Sequence, residues 1–325
     1  MELKPEIIER IKLLDEKYQA MGQDLSSYLD GLLYADYLTY WDYIHLDTLL
    51  SLQNPKTKIP DEEIFIMYHQ VTELYFKLCL HEYHQLAEKA GKNELDLKFL
   101  TTRVSRINRY FDALITSFDI MVDGMDPQQF LKFRMSLLPA SGFQSGQYRM
   151  IEICSTTFKN LVAKDIRENF SDDVNDAQIE KMYEHIYWKA GATELASGKK
   201  TLTLVQFEEK YQKIFIELAK KFKNTNLLAL LHSLPKEDQK NEKLILAFRQ
   251  MDVNVNINWP LSHYKSAVRY LQKDPEDIAA TGGTNWQKYL PPRFQKRIFY
   301  PELWSKEEMD EWGKGWVKSV AFGMK

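Results

Sequence analysis

The stretch from Pro60 to Gly91, PDEEIFIMYHQVTELYFKLCLHEYHQLAEKAG, constrains the fold more than any other. Its apolar residues recur at spacings of three and four, the signature of an amphipathic helix. Asp61 can cap that helix, Glu62 and Glu63 suit its positive end, and Lys89, Gly91 and Lys92 mark its finish. A helix of about 28 residues spans about 42 Å, the diameter of a whole domain. Ile64, Tyr68, Val71, Tyr75 and Leu78 form one apolar stripe; Phe65, His69, Thr72 and Phe76 form an adjacent one. Two such stripes predict a helix buried on most sides, with the rest of the chain packed around it.

The same periodicity runs almost throughout, and β-branched alternation bounded by turn residues is scarce. Helices are predicted over about 5–22, 93–122, 126–138, 147–164, 177–194, 203–223, 226–233 and 241–252. A Tyr-rich segment covers 27–52. Another helix opens at Asn258-Trp-Pro260 and runs to about Lys273, carrying His263. Asp126-Pro127 is a cap followed by proline at the first helical position, and Ser305 with Glu308 makes a capping box for a last helix. PASGFQSG over 139–146 reads as a loop, 165–178 as a surface connection, and 274–304 as the least helical part. No repeat or linker divides the chain. The fold class predicted is all-α, one large helical domain over 1–325 with a pocket between its helices.

A net charge of −3 over 325 residues leaves no global field to recruit nucleic acid or an anionic membrane. No apolar run reaches the length of a membrane span. The N-terminus mixes charged and apolar residues at helical spacing, unlike a signal peptide, and two cysteines in apolar helical contexts, Cys79 and Cys154, exclude a disulfide framework. A cytoplasmic protein with buried reduced thiols is expected. Aromatic residues, at 13% of the chain, fit either an aromatic-heavy core or a large flat ligand.

Seven histidines invite a metal reading. His81-Glu82-Tyr83-His84 is one residue short of the zinc-protease HExxH, which changes where the imidazoles point, and it reads as a solvated helix face. The paired Glu-x-x-His of a di-iron bundle, CxxC pairs and a P-loop are all missing. TGGT at 281–284 lacks the preceding strand and the spacing of a dinucleotide site. His69 lies on an apolar face beside Glu73, and His263 in the first turn of its helix with the small Ala267 one turn on. Taken alone, each reads first as a packed core histidine and only second as a ligand. A small residue at 267 would let a flat macrocycle approach.

Five blocks in order carry a family resemblance. FIMYHQVTELYFKLCLHE (65–82), SGFQSGQYRMIE (141–152), YWDYIHLDTLLSLQ (40–53), WPLSH (259–263) and the segment from ATGGT to YPELW (280–304) resemble motifs of the tryptophan 2,3-dioxygenases. The resemblance implies haem b, with His263 as the axial ligand to its iron, and a catalytic, substrate-binding His69 hydrogen-bonded to the indole N–H. It implies that Phe65 and Tyr148 pack the indole, that Arg149 grips the carboxylate with its planar fork, and that Thr281 meets the ammonium and carboxylate. Tyr40, Tyr43 and Ile44 resemble residues that reach the pocket of an adjacent subunit, so a homotetramer is implied, with residues 1–52 contacting a neighbour.

The implied reaction is insertion of both atoms of O2 across the indole C2–C3 bond of L-tryptophan, giving N-formyl-L-kynurenine. The alternatives are oxidation of another indole by the same superfamily and a non-catalytic haem or tryptophan sensor. The chain departs from the family in Trp259-Pro-Leu-Ser, which replaces a run with basic residues, and in Tyr148, which replaces the commoner Phe.

Overall fold

The computed structural model describes residues 3–36, 38–171, 175–194, 197–272, 287 and 290–314. Among these residues the fold is helical, with only two isolated β-bridges, Val162 with Ile186 and Thr193 with Lys200. The all-α class is as predicted. The chain forms two compact units, Met1–Asn54 and Pro55–Lys325.

The first unit holds α1 (Pro5–Ala20), α2 (Leu25–Leu33), α3 (Tyr40–Tyr43) and α4 (Leu46–Leu49). The Tyr-rich segment predicted over 27–52 is thus broken into short pieces. Asp24 and Thr39 cap α2 and α3 through their side chains; α3 ends at Ile44, and His45, at φ 52°, precedes α4 as its N-cap. Leu32, Leu33, Tyr34, Tyr40 and Tyr43 are largely exposed.

The second unit is built on α5 (Asp61–Gly91), whose bounds match those read from the sequence. Asp61 does not cap it. Pro60 already has helical backbone angles, and the Asp61 carboxylate instead accepts from the Asp126 N–H at 2.6 Å. Burial is also narrower than predicted. Tyr68, Thr72, Phe76, Cys79, Tyr83 and Leu86 are buried against α6 (Leu97–Ser117) and α9 (Gly146–Ser155), whereas Met67, Val71, Leu74 and Leu78 are 42–47% exposed. At about 100° per residue the buried side chains share about 80° of arc, and the exposed four lie on the opposite side of Tyr68 from it. The predicted first stripe therefore straddles the edge of the core.

His81 and His84 are exposed. Glu82, between them, is buried and takes Arg103 at 3.1 Å, Arg106 at 2.9 Å and the Tyr110 hydroxyl at 3.0 Å, so this segment ties α5 to α6.

Short α7 (Asp119–Val122) follows α6, and Asp126 caps α8 (Pro127–Phe133) as predicted, accepting from Gln128 and Gln129 N–H. Helix α9 is shorter than expected. It ends at Thr156, which is extended and donates its hydroxyl to the Phe299 carbonyl at 2.6 Å. At its start, a Cβ on Gly146 would meet the Tyr211 ring at 2.5 Å, so glycine allows α9 to approach α11 (Leu202–Phe222). Between them in sequence lies α10 (Asp176–Glu184), and α12 (Leu227–Ser233) follows. Cys79 and Cys154 are buried free thiols, with pKa values pushed up by burial.

The sequence predicts a break before Pro260. Instead α13 (Glu242–Val253) passes through a π turn, Asn254–Asn258, directly into α14 (Trp259–Leu271). The Trp259 N–H bonds to the Asn254 carbonyl, five residues back, and Pro260 has no N–H to offer. The wider turn accommodates the proline ring without breaking the axis. It also leaves the Val255 carbonyl without a helical donor. That carbonyl accepts from the Tyr148 hydroxyl at 2.9 Å and from Arg297 Nη2 at 3.2 Å.

Asp252, fully buried, fastens the 299–304 segment to α13. Its carboxylate accepts from the N–H groups of Phe299 (2.8 Å) and Tyr300 (3.1 Å), from Trp304 Nε1 (3.0 Å) and from Asn256 Nδ2 (2.6 Å). Burial raises its pKa to about 6 despite these donors. Asp252→Asn would turn an NH2 group toward two of them. It is expected to destabilise the fold by about 2–4 kcal/mol, since each orphaned buried donor costs about 1–3 kcal/mol. A denaturant midpoint equal to wild type would remove this role.

Candidate functional site

Within the second unit a cavity of about 590 Å³ is lined by α5, α8, the loop 137–145, α9, Tyr187, the π turn, α14 and residues 290–297. Its size suits a small-molecule site. Phe65, Phe76, Phe130, Phe143 and Trp259 supply apolar wall; His69, His263, Arg134, Arg149 and Arg297 supply polar groups. The structure thus brings together Phe65, His69, Tyr148, Arg149 and His263, which are spread over about two hundred residues of sequence.

The two histidines are prepared alike. His69 Nδ1 lies 2.7 Å from the Phe65 carbonyl, and His263 Nδ1 lies 3.3 Å from the Trp259 carbonyl, each one turn back on its own helix. A carbonyl only accepts, so Nδ1 carries the proton and Nε2 keeps a lone pair. Burial lowers both pKa values, that of His263 to about 4, so both rings are neutral at pH 7. Phe118 and Trp259 flank the His263 ring at 4.6 and 4.7 Å between centroids, and Phe65 packs on His69 at 4.2 Å.

Tyr148 presents its ring to the cavity and packs on Phe76, 5.6 Å between centroids. Its hydroxyl, absent from the commoner Phe, meets the freed Val255 carbonyl. Arg149 is buried, with Nη1 donating to Glu152 at 3.1 Å and to the Tyr187 hydroxyl at 2.7 Å. Its guanidinium lies over the rings of Trp188 (5.0 Å) and Phe143 (5.4 Å).

Several residues escaped the sequence reading. Glu73 accepts from Ser145 Oγ at 2.7 Å and Gln147 Nε2 at 2.8 Å, and so clamps the His69 helix to the start of the Arg149 helix. Arg297, Glu152, Tyr187 and Asn256 form one buried polar network around Arg149. A cation in the apolar run RIFYPELW was the available signal for Arg297. Thr281, with its TGGT motif, lies outside the described residues. Tyr40, Tyr43 and Ile44 belong to the first unit, where Tyr40 and Tyr43 are exposed on α3 and Ile44 follows it.

The cavity fits a haem group. His263 offers a neutral Nε2, and its Nδ1–H is oriented by a backbone carbonyl as metal-bound imidazoles usually are. Among the described residues no three His, Cys, Asp or Glu side chains cluster to hold a bare ion. A single imidazole suits a metal that arrives with its own porphyrin nitrogens.

Comparison with known proteins identifies a family. The family model described as Tryptophan 2,3-dioxygenase matches residues 31–225, which end before His263. A protein named Tryptophan 2,3-dioxygenase from Exiguobacterium sibiricum is 30% identical over 275 residues, covering 82% of this chain and 91% of that protein. Proteins of the same name from a Ruegeria species and from Bacillus cereus are 40% and 42% identical over 119 and 120 residues. Each of these two matches covers 37% of this chain, and the chain spans 42% of the length of each relative.

Proposed function

The chain belongs to the tryptophan 2,3-dioxygenase family, and on that footing we propose that it inserts both atoms of O2 across the indole C2–C3 bond of L-tryptophan, giving N-formyl-L-kynurenine. One observation carries the reading: His69, Phe65, Tyr148, Arg149 and His263 line a single cavity.

In this reading His263 is the residue that would hold the iron of haem b, through Nε2. The ferrous haem, when bound, supplies the capture and activation of O2. The chain supplies position. Phe65 and Tyr148 flank the indole plane, and neutral His69 accepts the indole N–H at the Nε2 left free by the Phe65 carbonyl. Arg149 pairs with the substrate carboxylate, a charge-assisted contact of about 1.5–3 kcal/mol. Thr281 is assigned to the ammonium and carboxylate by motif alone. The aromatic wall keeps water from the reacting carbons, and holding both reactants in one orientation lowers the barrier.

Assembly as a homotetramer belongs to the same reading, with Tyr40, Tyr43 and Ile44 reaching a neighbouring subunit's pocket. The exposed stripe Met67, Val71, Leu74, Leu78 on α5 supports association. Val71→Glu with Leu78→Glu is expected to shift the sedimentation coefficient from an oligomer toward a monomer; an unchanged coefficient would separate this stripe from assembly. No described helix is long and apolar enough to cross a membrane. Two buried reduced thiols fit a cytoplasmic setting.

The test is product analysis of the reduced, haem-loaded protein with L-tryptophan and O2. An N-formylkynurenine absorbance band is expected. Turnover only with another indole would move the reading to a different oxidation. Ligand binding without O2 consumption would make the protein a sensor, and absence of a Soret band after reconstitution would end both.

A further inference from the structure

Ser145 and Gln147, where α9 begins, both reach across to Glu73 of α5. Ser145 Oγ donates to one carboxylate oxygen at 2.7 Å. Gln147 Nε2 donates to the other at 2.8 Å and to the Glu73 carbonyl at 2.9 Å. A hydroxyl has one proton, so the Ser145 lone pairs are left to accept the Tyr148 N–H at 3.3 Å, which caps α9. The far side of the same loop is held to α11: Gln144 Nε2 donates to the Thr203 carbonyl at 3.2 Å, and Gly146 lies against the Tyr211 ring. Glu73 and Ser145 both line the cavity. Glu73 stands one helical turn after His69, and Ser145 one turn before Arg149.

We propose that Glu73 is a positioning residue that sets the separation between His69 and Arg149, and so favours ligands that engage both. The inference rests on the reading that puts the indole N–H at His69 and the substrate carboxylate at Arg149. A ligand held at two points gains from both only when their spacing matches its own, and a loose spacing is a cost of binding. Here the two points stand on different helices, and the bonds from Glu73 join those helices one turn from each point. The clamp works by reach and hydrogen bonding rather than by charge. Glu73→Gln keeps both links, because its amide oxygen can accept from Gln147 while its NH2 donates to Ser145 Oγ, which then serves as acceptor. Glu73→Ala removes them.

The test is a binding measurement, separate from turnover. The haem-loaded protein is titrated with L-tryptophan and with tryptamine, the same indole amine without the carboxylate, and its Soret shift is followed. Glu73→Ala is expected to weaken L-tryptophan binding about tenfold while changing tryptamine binding less than about threefold, since tryptamine uses one of the two points. Glu73→Gln is expected to stay within about threefold of wild type for both ligands. Ser145→Ala removes one link from the other helix and is expected to show the same selectivity as Glu73→Ala. Added to Glu73→Ala it should cost L-tryptophan little more, because the two residues share that bond. A residue that only braces the fold would weaken both ligands in step. Equal losses for the two ligands, or Glu73→Gln as weak as Glu73→Ala, would overturn the inference while leaving the substrate reading in place. Wild-type protein binding L-tryptophan no better than tryptamine would overturn the carboxylate assignment and the inference together. The dioxygenase reading itself stands or falls on the formylkynurenine assay.

Discussion

Replacing His263 with alanine is expected to lower haem affinity by more than about 100-fold and to shift the ferrous Soret band of whatever haem remains. Even outer-shell partners of a metal ligand cost roughly 10–100-fold when removed, and His263 is the ligand itself in this reading. His69→Ala is the control. It is expected to keep haem and its spectrum while turnover falls, because in the proposed reading the Phe65-oriented ring meets the substrate and not the iron. A wild-type spectrum for His263→Ala would sink the axial assignment.

The same residue predicts a pH response. Burial holds the His263 pKa at about 4, below the ordinary value of 6.5. The folded protein therefore binds fewer protons than the unfolded chain between those values, and stability rises with pH across that window. The haem-free protein is expected to show the His263 contribution in full above pH 6.5 and to lose it as the pH falls toward 4. His263→Ala should flatten this part of the profile, read from denaturant midpoints at several pH values. His69 contributes in the same direction, so some slope will persist.

The second large effect is at Arg149. Arg149→Ala is expected to raise KM for L-tryptophan about 10- to 150-fold, the equivalent of about 1.5–3 kcal/mol, with haem content unchanged. The fold should survive, because Glu152 keeps Arg297 and the Tyr187 hydroxyl as partners. Loss of haem in step with KM would show instead that Arg149 braces the cavity.

These two residues mark how far the sequence could be read. Periodicity sufficed for the helical class and for the bounds of α5, since 3.6 residues per turn is a local property. Caps such as Asp126 and the box at Ser305–Glu308 were legible for the same reason. Motifs naming His69, Arg149 and His263 placed them on helices. Burial was less legible: an apolar side chain signals that it could be covered, and Val71 and Leu78 are not.

What only the tertiary structure decided lies in long-range pairing. Pro260 reads locally as a helix start, yet helix α13 continues past it because a π turn takes up the ring and hands the Val255 carbonyl to Tyr148 and Arg297. In sequence Glu73 is only a charge near His69, yet in space it clamps α5 to α9. Arg297 is 145 residues from Glu152 in sequence and paired with it in space. A carboxylate's partner is set by which helices pack together, and packing sums contacts from the whole chain. By itself the sequence determined an all-α chain with two histidines on helices; the tertiary structure decided that they face one cavity, and which charges line it.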